Sequence, residues 1–476
     1  MDNRTSCAVL TSAVEFFQWW KERHRVGRFE VTRIPLRELG DWSFDEATGN
    51  LGHVSGRFFT VEGLQVRIGD SVLRSQPIIH QPEIGILGIL VKEFHGVLHC
   101  LMQAKMEPGN VNTLQLSPTV QATRSNYTQV HRGSSTRYLE YFTGPARGEV
   151  LVDVLQSEQG AWFWRKRNRN IVVRVSGDVP GNEDFCWLPM RLMWALMRED
   201  NLVNMDARTV LSCMSFAQPG GVESDRATGS PALHTSGAIL SWFTEAKAWC
   251  DWHVRLVPLD TVVGWTRGAD EILDDDGRIF RIVGVRVTAG NREVTTWTQP
   301  LLEPFGRGLA VFVARRINGV PHLLVQAKYE FGLLDLVEMG PTIQLLPGED
   351  VSAVDDPLLK QVAAEELGRV RYDAILSEEG GRFNRALTRY RIVEVDDEFP
   401  VRVPPNFCWM TVRQLMGLLR HGHYLNIEAR SLLACYPATA EGSADPDHRR
   451  LGTPRTGAAR PLLDRGAPWF PTDEVH

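Results

Sequence analysis

The feature that most constrains this chain is internal repetition. Gln103-Ala104-Lys105 reappears as Gln326-Ala327-Lys328, an offset of 223 residues. Residues 103–121 and 326–344 share 8 identities in 19, among them Glu107/Glu330, Gly109/Gly332, Pro118/Pro341, Thr119/Thr342 and Gln121/Gln344. Ser157-Glu158-x-Gly160 returns as Ser377-Glu378-x-Gly380, followed by Arg165/Arg385 and Arg169/Arg389. Residues 185–213 then match 407–435 with 11 identities in 29, including Asn204/Asn426 and Arg208/Arg430. So long a period is far beyond solenoid repeats and marks the duplication of a whole domain. The 476 residues divide into a first repeat at 1–216, a Gly/Pro/Ser/Asp-rich linker at 217–236, a second repeat at 237–436 and a tail at 437–476. The Ala/Gly/Pro/Arg-rich tail is expected to be flexible.

Each repeat reads the same way. An aromatic amphipathic helix comes first, at Ala13 to His24 and at Ile239 to Trp252. A strand ending in a Pro dipeptide follows, at Val31–Leu36 and Val254–Leu259, then Gly-bounded alternating runs such as Gly277 to Thr288 and Gly308 to Val313. Each repeat closes on a helix of Arg/Leu/Met pattern, Leu188 to Arg198 or Thr411 to Arg420, and a second short helix. The expected fold class is α+β, a mixed sheet flanked by helices, built twice.

Charge and cysteine content exclude several functions. Net charge is −6, and no long Lys/Arg run is present, which argues against a nucleic-acid partner. Only seven of the 52 basic residues are Lys. The longest apolar stretch, Ile84 to Val91, is too short for a bilayer, and the first residues lack a secretory pattern. Seven scattered cysteines form no CxxC and no zinc spacing, so no metal is expected and a reduced, cytoplasmic protein is. No GxGxxG follows a strand and no P-loop occurs.

The segment Gln103 to His131, QAKMEPGNVNTLQLSPTVQATRSNYTQVH, resembles the NDP-hexose 2,3-dehydratase family, and the resemblance runs through both repeats, about Phe16 to Tyr436. It implies tandem Nudix-like domains, a homodimer, and a role in deoxysugar and antibiotic biosynthesis. The implied substrate is dTDP-4-keto-6-deoxyglucose, converted without a cofactor to a 3,4-diketo-2,6-dideoxy sugar. A downstream NADPH-dependent 3-ketoreductase is the implied consumer of that product. A partial Nudix box stands at Gln361-Val362-Ala363-Ala364-Glu365-Glu366-Leu367-Gly368, where Gln361 and Val362 replace the Arg and Glu the box needs. One metal-binding carboxylate is therefore missing, and pyrophosphate hydrolysis is disfavoured.

Dehydration at C2 needs a base for the C3 hydrogen, donors for the C4 oxygen and an acid for the departing hydroxyl. Comparing the repeats sorts the candidates. Lys105, Glu107 and Gln121 recur as Lys328, Glu330 and Gln344. The first repeat alone adds Asn110, Asn112, Gln115, Thr123, Asn126, Tyr127, His131, Tyr138 and Glu140. With the resemblance in hand, His131 and Tyr127 are the candidate acid or base, and Lys105 and Asn126 are placed to polarise the C4 ketone, beside Glu107. Asn112, Gln115, Gln121, Thr123 and Tyr138 are candidate substrate contacts. Arg124, Arg132, Arg165 and Arg169 are candidates for the diphosphate, because guanidinium forks fit phosphate geometry. The neighbouring pair Lys166-Arg167 reads as solvated surface. Trp162, Phe163, Trp164 and Trp187 are aromatic candidates for the base, although Trp187 reads better as core. The second repeat keeps Lys328, Glu330, Gln344, Arg385 and Arg389, and is expected to bind without turnover or to serve as scaffold. The alternatives are a binding module for nucleotide sugars and a divergent Nudix pyrophosphohydrolase.

Overall fold

The structure, a computed structural model, describes residues 6–123, 136–145, 148–214, 232–290 and 295–439. Most of the linker and of the tail lies outside them. The architecture is mixed α+β, as expected, with two large and two small sheets.

Local signals set the opening helix of each repeat. Ser12 and Glu15 form a capping box ahead of Ala13–Val26, whose Phe16 and Trp20 turn inward. Thr235 caps Ser236–Ala248 by accepting from the Ala238 amide, and the helix stops short of the expected Trp252.

The two large sheets are copies of one pattern. In the first, Gly85–Phe94 runs antiparallel to Val97–Met106 and parallel to Arg167–Arg174, which pairs in turn with Glu149–Ser157. In the second, Gly308–Ile317 stands between Val320–Tyr329 and the parallel strand Leu387–Glu394, and Arg369–Ser377 forms the edge. A helix lies on one face of each, Met205–Cys213 on the first and Ile427–Cys435 on the second, and both are wholly buried.

The two small sheets exchange strands. Phe29–Ile34, from the first repeat, pairs with Phe280–Ala289 of the second. His253–Val257, from the second repeat, pairs with Thr60–Ile68 of the first. The main apolar core is shared in the same way, with Phe16, Leu116 and Met193 joining Phe243, Leu323 and Met410. A second cluster sets Phe163 edge-to-face with Phe383, ring centroids 5.2 Å apart.

Loops also cross reciprocally. The Gly109 amide donates to Gly380 O at 2.7 Å, and the Gly332 amide donates to Gly160 O at 2.8 Å. A Cβ on Gly109 would stand 1.7 Å from Phe383 O, and one on Gly332 would stand 2.0 Å from Phe163 O. The recurrence of Gly109/Gly332 in sequence follows from that approach of backbone to backbone. Arg208 and Arg430 complete the seam, each fully buried. Arg208 donates to Val203 O, Ser431 Oγ and Ser377 O, while Arg430 donates to Leu425 O, Thr209 Oγ1 and Ser157 O. Each guanidinium thus fixes the start of the other repeat's crossing loop.

Candidate functional site

Where Val97–Met106 ends, four side chains interlock. Lys105 Nζ lies 3.3 Å from Glu107 Oε1 and donates to the Gln121 carbonyl at 3.5 Å. Gln121 Nε2 donates to Glu107 Oε1 at 2.8 Å. Asn204, whose Oδ1 caps Met205–Cys213 by accepting from the Ala207 amide, gives its Nδ2 to Gln121 Oε1 at 3.1 Å. The second repeat reproduces the set: Lys328 donates to Gln344 O at 3.2 Å, Gln344 to Glu330 Oε1 at 3.0 Å, and Asn426 to both side chains. A short helix cap thereby also orients the site's amide.

The crossing loops make the two sites different. In the second site, Gly160 N donates to Glu330 Oε2 at 2.9 Å, and Gln159 Nε2 donates to Glu378 Oε2 at 2.8 Å. Tyr390 OH satisfies Glu378 Oε1 at 3.0 Å. Beside them lies a narrow pocket lined by Trp162, Leu309, Leu346, Pro347, Thr388 and Glu428. In the first site the matching positions carry Glu379 for Gln159, Gly381 for Ala161 and Arg382 for Trp162. Lys166 and Asn168 stand where the second site has Ala386 and Thr388. Asn168 Nδ2 donates to Glu158 Oε1 at 2.7 Å. Glu107 Oε2 and Glu158 Oε2 are buried and have no hydrogen-bond partner among the described residues. Orphaned buried acceptors are rare in folded proteins; Glu428 Oε2 and Gln159 Oε1, at the second site, are two more.

Burial and crowding set the protonation of this group. Desolvation first, then the neighbouring Glu379, push Glu158 up to about 7, with Arg430, Lys166 and Asn168 pulling the other way. Burial lowers Lys166 to about 8 against the attraction of Glu379 and Glu158. Asp206, on the first turn of Met205–Cys213, is raised well above the usual range by burial and then by Glu379, Glu158 and Glu107. Glu379 is raised too, by burial foremost, with Arg382 opposing. Four carboxyl groups and four cations (Lys105, Lys166, Arg382 and Arg430) therefore act on one another here, with some of the acids held neutral near pH 7. Among the described residues no group of three or more His, Cys, Asp or Glu side chains has a metal-holding arrangement.

Several expected site residues stand elsewhere. Gln115 is buried at the seam between repeats, where it donates to Asn112 Oδ1 at 3.0 Å and to Ser377 Oγ at 2.6 Å. Asn112 in turn donates to Asn201 O. Tyr138 is packed against Phe185, and its hydroxyl donates to Pro180 O at 2.7 Å. Arg169 forms a bidentate pair with Asp153, at 2.7 and 2.6 Å, and Arg389 does the same with Asp373. Strand alternation puts Arg169 on the sheet face opposite Asn168, away from Glu158. Arg165 and Arg385 hold left-handed backbone (φ 49° and 54°) and use their amides to bind Gly332 O and Gly109 O. Their side chains are exposed. Thr123 occupies the position of the pocket-lining Leu346. Arg124, Asn126, Tyr127, His131 and Arg132 lie outside the described residues.

One expectation is corrected outright. Lys166 is not solvated surface but 5% exposed, with its Nζ donating to Glu83 O. Glu158, Lys166, Asp206, Glu379 and Arg382 are the residues that sequence reasoning missed. The signal was a polar change between repeats in the crossing loop, Gln159 to Glu379, on the repeat that does not own the site.

The model of the NDP-hexose 2,3-dehydratase family matches residues 13–214 and again 236–436. The chain belongs to that family. It is 50% identical over 448 residues to a dTDP-4-dehydro-6-deoxy-alpha-D-glucopyranose 2,3-dehydratase of Saccharopolyspora spinosa, with 90% of this chain and 92% of that protein covered. A protein of the same name from Streptomyces violaceoruber is 50% identical over 432 residues, covering 90% and 97%. Another, from Amycolatopsis orientalis, is 49% identical over 436 residues, covering 89% of each. Among solved structures, the C. elegans Ap4A hydrolase aligns with a TM-score of 0.19 and 15% identity over 28% of this chain and 97% of that one, too slight a likeness to support an argument. No helix among the described residues of this 2,3-dehydratase family member is long and apolar enough to cross a membrane.

Proposed function

We infer that the chain is a lyase that removes the C2 hydroxyl of dTDP-4-keto-6-deoxyglucose as water and leaves a dTDP-3,4-diketo-2,6-dideoxyglucose. The observation that carries the reading is the pair of buried carboxyl oxygens on Glu107 and Glu158 that have no partner among the described residues, in a site that also holds Lys105 and Lys166. Elimination consumes the functions this set offers: a cation near a developing enolate oxygen and an acid that is neutral at working pH. Glu158, raised to about 7, suits the departing hydroxyl. Lys105 suits the C4 oxygen, with Asn126 a second donor candidate. His131 and Tyr127 remain the candidates for the base that takes the C3 proton.

The first site is the seat of turnover in this reading. Supporting it, the second site's matching carboxylates, Glu330 and Glu378, are each bonded through both oxygens by the protein itself. Each repeat is read as a Nudix-like domain and the protein as a cytoplasmic homodimer of deoxysugar and antibiotic biosynthesis, whose product passes to a 3-ketoreductase. Against pyrophosphate hydrolysis, Glu365 of the partial box is held by Arg389 and Arg391.

The test is incubation with the 4-keto sugar and an NADPH-dependent 3-ketoreductase that traps the unstable diketone. Trapped 2,6-dideoxy product is the expected result. Metal-dependent release of dTDP without that product would replace the reading with a hydrolase, and an unchanged substrate that still binds would replace it with a binding module. His131→Ala and Tyr127→Phe should each lose much of the turnover with the fold intact. Near-normal turnover in both removes them from the mechanism.

A further inference from the structure

The crossing loop of the second repeat reaches the first site, and one of its side chains differs from its counterpart by a single functional group. At the second site, Gln159 Nε2 donates to Glu378 Oε2 at 2.8 Å. The first site puts Glu379 in place of Gln159 and Glu158 in place of Glu378. Glu158 is 2% exposed, its Oε1 is held by Asn168, and its Oε2 has no partner among the described residues. The loop turns tightly at Gly381, where a Cβ would stand 3.1 Å from Glu379 Oε1 and 3.9 Å from Glu107 Oε1. The match between repeats thus puts two carboxyl groups where the sister site bonds an amide to a carboxylate, Glu379 acting on Glu158 as its main like-charged neighbour and Glu107 lying beside Glu379. Like charges so placed cannot both ionise cheaply out of water, and one proton between them resolves the conflict.

We propose that Glu379, carried by the second repeat, is a positioning residue of the first site that shares a proton with Glu158 and keeps Glu158 able to protonate the leaving C2 oxygen. The inference rests on the dehydratase reading for its consequence, though not for the pairing. Proton traffic balances. The C3–H electron pair becomes the enolate as the base takes that proton. Those electrons then form the C2–C3 double bond while the C2–O bond breaks, and the oxygen leaves with the Glu158 proton as water. The resulting C3 enol gains a proton at C2 and gives up its hydroxyl proton, so the protein regains the two protons it lent. The other charged groups facing Glu158 are Lys166, Arg430 and Asp206, with Lys105, Glu107 and Arg382 around Asp206 and Glu379. The cations oppose protonation, and only Glu379 occupies the place of Gln159.

Glu379→Gln keeps size and shape while restoring the amide of the sister site. An amide donor favours ionised Glu158, so the fall in activity at high pH should begin at least one pH unit lower. Turnover at pH 8 should drop tenfold or more and recover in part near pH 6, and Glu379→Asp should restore much of the profile. Affinity for dTDP, read by calorimetry, should stay within twofold. Infrared difference spectra of the unliganded protein should show, beside the bands of other buried acids such as Asp206, a protonated carboxyl band near neutral pH that Glu158→Gln and Glu379→Gln each remove. A profile unmoved by Glu379→Gln together with an unchanged carboxyl band overturns the pairing. Because the band needs no substrate, its loss in Glu379→Gln alongside a wild-type protein that leaves the keto sugar unchanged would sink the dehydratase reading alone.

Discussion

The two sites of this chain share one frame, and they differ in which carboxyl groups lack a hydrogen-bond partner among the described residues: Glu107 and Glu158 in the first, Glu428 in the second. The glutamine-to-glutamate and asparagine-to-glutamine hydrogen bonds recur from Glu107-Gln121-Asn204 to Glu330-Gln344-Asn426, with Lys105 and Lys328 each donating to the glutamine's carbonyl. In the second site every oxygen of Glu330 and Glu378 is satisfied from within. In the first, Glu158 and Glu107 each keep a buried oxygen without a partner among the described residues. A closed network stabilises a fold, whereas an open one is held at a cost and suits a ligand. The shared frame therefore does not by itself separate the two sites; the crossing loops do.

The comparison can be broken in several ways. The largest expected effect is on turnover. Glu158→Gln should reduce kcat by about 10² to 10⁴, the usual worth of a positioned acid, while Glu378→Gln should change it less than threefold. Equal losses in steady-state assays would erase the distinction between the sites. Lys105→Met should follow at about 10², the scale seen for removing one donor to a developing oxyanion, with Lys328→Met again nearly silent.

Next comes the loop. Gly381→Ala installs the Cβ that the second site carries at Ala161, pressing on Glu379. A loss of about tenfold in kcat/KM is expected, a barrier change of about 1.4 kcal/mol, and Ala161→Gly should be near neutral.

Stability gives a subtler contrast. The Glu158 carboxyl has its folded value raised from 4.5 to about 7, so the native state binds more protons than the unfolded chain in that window. Its contribution is present at low pH and is lost as pH rises from 4.5 to about 7. Urea midpoints measured across that range should therefore slope less steeply downward in Glu158→Gln than in the parent, and a parallel pair of curves would remove the buried-acid assignment. Smallest of all, Arg169→Ala and Arg389→Ala should each cost under about 1 kcal/mol, since both pairs are partly exposed. A KM increase above tenfold for Arg169→Ala would return it to the diphosphate.

How much of this was legible depends on what a repeat can reveal. Lys105, Glu107 and Gln121 surfaced because they recur, and Gly109/Gly332 recur for a steric reason that the crossing loops make plain. Asn204/Asn426 and Arg208/Arg430 also stood out as identities, although their duties, capping a helix and holding the opposite loop, needed the fold. Glu379 was visible only as a difference between copies. Comparing repeats credits each difference to the site of its own copy, and here the chain crosses over. Lys166 was misread because one lysine beside Arg165 and Arg167 looks like a charged surface run, while strand alternation and the turn at Arg165 bury it. The exchanged strands leave no mark at all, because an alternating run such as Phe29–Ile34 has the same pattern whichever sheet it joins.

That exchange has a consequence for what counts as a separable piece of this protein. Were the chain severed between residues 217 and 236, each fragment would still lend the other an edge strand and a loop, so the fragments should remain docked. Produced singly, each would instead present an open sheet edge and an arginine stripped of its partners in the other repeat, a surface ready to take up another copy of itself. The tether therefore does more than join two units. It keeps at hand the one partner that can complete both sheets, because each edge strand is matched to the other repeat.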